Sequence, residues 1–173
     1  MIKLFIGAVF LSNVLFTKYL GIRLDKKNTL HITLLTAIIA IISSMSNYFM
    51  SNMLDKLGIL YVRNIIFIIT IVIVSSIVLT IYKMKTKNKL DLLPTIVTNS
   101  IILGLSLIVS NSGFNTINAL VYTLGAVIGY VLIMLLMYYL ELELNKRKVY
   151  EPLKGYPIML ITLGIICMIL ERL

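Results

Sequence analysis

Residues 92 to 140 read LLPTIVTNSIILGLSLIVSNSGFNTINALVYTLGAVIGYVLIMLLMYYL, 49 consecutive positions without an Asp, Glu, Lys or Arg. The hydrocarbon core of a bilayer is about 30 Å thick, and an α-helix needs roughly 20 apolar residues to cross it. This stretch holds two such crossings, Leu92 to Val109 and Thr116 to Leu140, separated by the uncharged hexapeptide 110-SNSGFN-115. It makes the chain a helical membrane protein. Within it, 97-VTNSIILG-104 places Thr98, Asn99 and Ser100 side by side among aliphatic residues, and that local anomaly marks the candidate site.

The rest of the chain agrees with this reading. Its 173 residues are 60% hydrophobic and only 13% charged, with a mean hydropathy of +1.01. A soluble domain of this size carries more charge on its surface. Four further spans are predicted, at roughly Ile2 to Ile22, Leu30 to Leu54, Asn64 to Tyr82 and Gly155 to Leu170. The six spans tile one membrane domain over residues 1–173, and no soluble domain fits between them. Lys3 followed by an apolar run has the look of a signal peptide, but no small-residue cleavage site follows, so it is read as the first span. The apolar runs are continuous rather than alternating, which argues against a β-barrel.

Basic residues set the expected orientation. Arg23, Lys26 and Lys27, then Lys83, Lys85, Lys87 and Lys89, then Lys146, Arg147, Lys148 and Lys154 place eleven positive charges in the first, third and fifth loops. The other side has Lys3, Lys56, Arg63 and Arg172. Loops one, three and five are therefore expected in the cytoplasm of a bacterial cell, and both termini outside the inner membrane. The net charge of +9 is thus a topology signal, and nucleic-acid binding is not expected. Tyr19, Tyr48, Tyr61, Tyr82, Tyr138, Tyr139 and Tyr156 lie near span ends, as an interfacial belt in the lipid bilayer requires.

Three spans followed by three allow two halves of opposite orientation, since an odd number of crossings inverts the second copy. The sequence carries a faint repeat: 11-LSNVL-15 in the first span and 97-VTNSI-101 in the fourth each place a hydroxyl residue before Asn and an aliphatic residue two positions on. Their offset of 86 is half the chain, giving repeats of about 1–86 and 87–173. The first span is interrupted by Ser12, Asn13, Thr17, Lys18 and Gly21, and the fourth by Pro94, Thr95, Thr98, Asn99, Ser100 and Gly104. Interrupted spans at matching positions point to a site near the midplane. The competing reading is interhelical packing, because Ser and Thr can bond back to their own helix and Asn can join neighbouring helices for about 0.6 to 2 kcal/mol. Periodicity does not separate the two.

Other candidates carry less chemistry. Apart from Lys3 at the very start of the first span, Lys18 is the one Lys or Arg inside a span, and it can snorkel to the cytoplasmic interface. His31 opens the second span and Arg63 the third, and neither has the company that a metal site or proton relay needs. No phosphate-binding glycine loop, HExxH pattern or intramembrane carboxylate pair is found. Cys167 stands alone, so it forms no intrachain disulfide and no cluster by itself.

Several segments resemble one family, the A-type membrane component of the Rnf ion-translocating electron transport complex, which is also similar to the E-type component of the sodium-pumping NADH:quinone reductase. The segments are 10-FLSNVLFTKYLGIR-23, 59-ILYVRNIIFI-68, 93-LPTIVTNSIILG-104, 114-FNTINALVYTLGAVIGYVLIMLL-136 and 152-PLKGYPIMLITLGI-165. The E-type paralogue carries Arg-Ala-Glu-Ala after its Thr-Asn-Cys motif; here 104-GLSL-107 stands there, so the A type is the nearer likeness. The resemblance implies an all-α fold, an inverted three-plus-three repeat with broken first and fourth helices. It also implies an intramembrane [2Fe-2S] cluster shared with an E-type partner, held by one cysteine after the Leu-Gly-Leu of the first span and one after the Thr-Asn of the fourth. In this sequence those two positions are Arg23 and Ser100. A guanidinium cannot ligate iron, and a serine hydroxyl is a poor, hard ligand for it. The chain is therefore expected to carry no cofactor of its own, with flavin and iron–sulfur groups on partner subunits of an Rnf- or Nqr-type assembly. It would not be an enzyme alone. An alternative needs no cysteines: a six-helix membrane protein that captures a small molecule for vitamin-type uptake.

Overall fold

The computed structural model describes residues 29–86, 92–146 and 156–171. Ser12, Asn13, Lys18 and Arg23 lie outside the described residues. All regular structure among the described residues is helical: α1 (Thr29–Lys56), a 3-10 turn (Leu60–Val62), α2 (Arg63–Thr86), α3 (Leu93–Val97), α4 (Ser100–Asn111), α5 (Thr116–Lys146) and α6 (Tyr156–Glu171). Among the described residues four stretches are long and apolar enough to cross a membrane: His31–Lys56, Leu60–Met84, Leu93–Asn111 and Thr116–Leu140. They coincide with the second to fifth predicted spans. In hydrocarbon no water is available to the backbone, so each peptide group must be paired within its own segment, and an uninterrupted apolar run folds as a helix.

The core sits around α1, which packs against α4, α5 and α2. Its spanning window is 61% buried, against 22% for α2, although α2 is the more apolar of the two. The reason is visible along α1. Thr33, Thr36, Ser43, Ser44, Asn47 and Ser51 are buried, whereas Leu34, Ile38, Ile42, Phe49, Met50 and Met53 are exposed. Polar residues turn inward because lipid offers them no partners, and aliphatic ones turn outward at no cost. On the peripheral helix α2 a single narrow stripe is buried, Phe67, Ile71, Ser75 and Leu79, at the four-residue spacing of a helix ridge. The remaining face of α2, from Ile65 to Ile81, is exposed and aliphatic.

Two links fix the direction of α5 against α1. The Tyr48 hydroxyl donates to the Phe114 carbonyl at 2.6 Å, just before α5 begins, and Thr36 lies beside the Tyr130 phenol. Positions that rise along α1 thus meet positions that fall along α5, so the two helices are antiparallel. Ala119, Ala126, Gly125 and Gly129 on the buried side of α5 allow close backbone approach. Tyr48 therefore differs from the interfacial anchor expected of it: it is 6% exposed, because its hydroxyl has a carbonyl partner inside the bundle.

α1 ends on a Schellman turn. Gly58 adopts φ +70°, its N–H donates to Asp55 O at 3.1 Å, and Ile59 N–H donates to Leu54 O at 3.1 Å. These bonds satisfy the last carbonyls of the helix, and the left-handed residue between them is one that glycine fills without strain.

Candidate functional site

The fourth span is two helices, not one. Pro94 sits in the first turn of α3, where its missing N–H costs nothing. α3 then closes after five residues: Thr98 N–H and its hydroxyl both turn back to the Pro94 carbonyl, at 3.1 Å and 2.7 Å. Asn99 N–H returns to Ile96 O at 3.0 Å. Asn99 itself is extended, with φ −76° and ψ 106°, and α4 restarts at Ser100. The chain thus leaves the helical path at Thr98 and Asn99, while Gly104 lies inside the uninterrupted α4.

Asn99 holds this break together from both ends of its side chain. Its Oδ1 accepts from Ile101 N–H at 3.3 Å, the N-cap bond that satisfies one free donor of the new helix. Its Nδ2 donates to the Tyr130 hydroxyl on α5 at 3.4 Å. Asn99 is buried, whereas Thr98 and Ser100 on either side of it are exposed on the bundle surface. The start of α4, with the partial positive charge of a helix N-terminus, therefore lies at membrane depth, its Ile101 and Ile102 N–H groups held by Asn99.

A second polar layer lies farther along α1 and α4. Asn47 Nδ2 donates to Ser106 Oγ at 3.1 Å, and Ser106 Oγ donates to Ile102 O at 2.8 Å. Sequence reading passed over this pair and the residues around it. The signal was there in 33-TLLTAIIAIISSMSNYFMS-51, where Thr33, Thr36, Ser43, Asn47 and Ser51 follow at spacings of three, seven, four and four, one side of a helix. The two layers together place Thr36 near the level of Asn99 through Tyr130, and Asn47 level with Ser106, so α1 and α4 run parallel.

The remaining candidates are scattered. His31 is exposed, at the start of α1. Arg63 opens α2, with its guanidinium carbon 6.0 Å from the centre of the Phe67 ring and its Nε buried without a hydrogen-bond partner. Cys167 lies on α6. Among the described residues no three His, Cys, Asp or Glu come together.

The whole chain, residues 1–172, matches the family of Rnf-Nqr subunit membrane proteins. Curated relatives carry the name of the A component of an ion-translocating oxidoreductase complex. They include one from Vibrio cholerae, 30% identical over 94% of this chain and 90% of the relative. Another from Proteus mirabilis has the same identity and coverage, and one from Aeromonas hydrophila is 27% identical over the same shares.

Proposed function

This chain belongs to the Rnf-Nqr family of membrane subunits, and on that footing we propose that it serves as a membrane component of an ion-translocating oxidoreductase complex. The observation that carries the reading is the match along the full chain to proteins named for that assembly. Redox chemistry belongs to the assembly, with flavin and iron–sulfur groups on other subunits. The vitamin-type uptake alternative draws no support from the family.

Six spans in an inverted three-plus-three repeat complete the proposed fold, with both termini outside the bacterial inner membrane and loops one, three and five in the cytoplasm. The basic residues of those loops support it. The directions of the described helices are those that alternate crossing requires: α1 and α4 parallel, α5 opposed to both. Residues 93–111, broken at Thr98 and Asn99, are the second-half member of the pair of interrupted spans.

The donor set does not fit the family's [2Fe-2S] cluster. Ser100, at one matching position, offers an alcohol on the exposed start of α4, and Arg23, at the other, offers a cation. The chain accordingly lacks the usual four-cysteine site. Pro94, Thr98 and Ser100 are exposed along one edge of the break at membrane depth, and an E-type paralogue packed on this edge would cover it.

The test is purification through a tag on this protein, with iron, acid-labile sulfide and EPR measured on what co-purifies, together with deletion of its gene. The expected result is an assembly with E-type and flavin-bearing partners, no [2Fe-2S] signal at the interface of this chain, and loss of redox-driven ion transport on deletion. Full redox activity in the deletion membranes would overturn the reading as a component of the complex, and an interface cluster signal would overturn the cluster-free one.

A further inference from the structure

The turn between α1 and α2 is built the wrong way round for water. Leu57 is 68% exposed and Tyr61 83%, and Leu60 and Ile65 are exposed beside them. Arg63, the cation among these residues, is drawn partly inward. Its Nε is buried and has no hydrogen-bond partner among the described residues. Its guanidinium carbon lies 6.0 Å from the centre of the Phe67 ring, a side chain with no exposure.

The charges at this end of the bundle sharpen the contrast. Lys56 is exposed in the last turn of α1, where a cation meets the negative end of the helix dipole. Arg63 opens α2, whose first turn holds no acid, so it adds a positive charge to the positive end. Asp55 is the one acid between residues 52 and 66. It is exposed, and among the described residues no ion pair joins it to Arg63. The depth of the turn says which anion is at hand. The spanning stretch Leu60–Met84 has 25 residues, about 37 Å of helix against about 30 Å of hydrocarbon. Centred, it leaves about 4 Å outside at each end, so Leu60 to Val62 stand in the headgroup layer and Arg63 at its inner edge. The anion abundant at that level is the phosphate diester of the lipids themselves.

We propose that Arg63 holds the phosphate of a phospholipid headgroup in the leaflet on its side of the membrane, with Leu57, Leu60 and Tyr61 lying among the headgroups and upper acyl chains around it. Burial of the side-chain stem and Nε fixes the guanidinium and leaves its terminal nitrogens to meet two phosphate oxygens, at a smaller loss of freedom than an unheld arginine suffers. The exposed apolar rim favours a lipid over a free phosphate ion, because acyl chains cover it while water does not. This site requires only that the turn lie at the membrane surface, and it is independent of the proposed function of the assembly.

The test is native mass spectrometry of the full-length chain released from nanodiscs and titrated with phosphatidylglycerol. One firmly held phospholipid is expected. Arg63→Gln should weaken its retention about tenfold or more, the loss of a charge-assisted contact. Arg63→Lys should weaken it less, since lysine keeps the charge without the planar fork, and Lys56→Gln should leave it unchanged. A diacylglycerol glucoside, with the same acyl chains and no phosphate, should bind the wild-type chain about tenfold more weakly, a comparison that needs no variant and is immune to misfolding of one. In native membranes, Tyr61 replaced by photoreactive benzoylphenylalanine should cross-link to lipid. Equal retention of the two lipids overturns the proposal, as does equal retention by wild type and Arg63→Gln. Displacement of the lipid by inorganic phosphate would make the free anion the ligand, and a cross-link to another subunit would make a protein surface the occupant; either result also overturns it.

Discussion

Replacing Asn99 with alanine removes two bonds that meet in one side chain. The N-cap bond to Ile101 N–H, 3.3 Å long, is worth about 1 kcal/mol in most proteins. The bond to Tyr130 joins two helices at 3.4 Å, a long contact worth about 0.6 kcal/mol in a membrane. Asn99 is only 6% exposed, so water reaches the freed Ile101 N–H poorly, and the loss rises to about 2 kcal/mol in total. Asn99→Ser keeps an acceptor for the cap but is too short for Tyr130, so it should cost about 0.5 kcal/mol, as should Tyr130→Phe. Reversible unfolding in mixed micelles with increasing dodecyl sulfate measures all three. A double-mutant cycle between Asn99→Ala and Tyr130→Phe should return a coupling of about 0.5 kcal/mol. The reasoning is refuted if Asn99→Ala costs under about 0.5 kcal/mol, or if Asn99→Ser costs as much as Asn99→Ala, because the break would then be held by something other than the cap.

Three further outcomes are expected from the same unfolding assay. Gly58→Ala should cost about 1 kcal/mol; a Cβ there meets nothing within 4 Å, so the whole loss reflects the left-handed backbone, and Gly164→Ala, equally uncrowded and within α6, should be neutral or stabilising. Tyr48→Phe should cost about 1 kcal/mol by leaving the Phe114 carbonyl without its 2.6 Å donor, with the midpoint shift as the readout. Ile102→Ala, at a position with no exposure on α4, should lower stability by about 2 to 5 kcal/mol through the cavity it opens, whereas Ile77→Ala on the exposed face of α2 should change it little.

The sequence by itself determined that this protein is a helical membrane protein. It located the described spans to within a few residues, because transfer of a side chain into hydrocarbon is a local property summed along the chain. It also pointed to residues 98 and 99, since Pro94 and three adjacent polar residues are a local signal too. Tertiary structure alone decided which inward-facing groups meet. Nothing within α1 says that Asn47 meets Ser106, 59 positions away, or that Asn99 reaches Tyr130. The sequence reading set Tyr48 at the interface because it lies near a span end, and the fold buries it because Phe114 happens to stand opposite. In lipid, apolar residues are indifferent to whether they touch a helix or an acyl chain, so the inward face is chosen by the few polar groups that need partners, and those partners come from elsewhere in the chain.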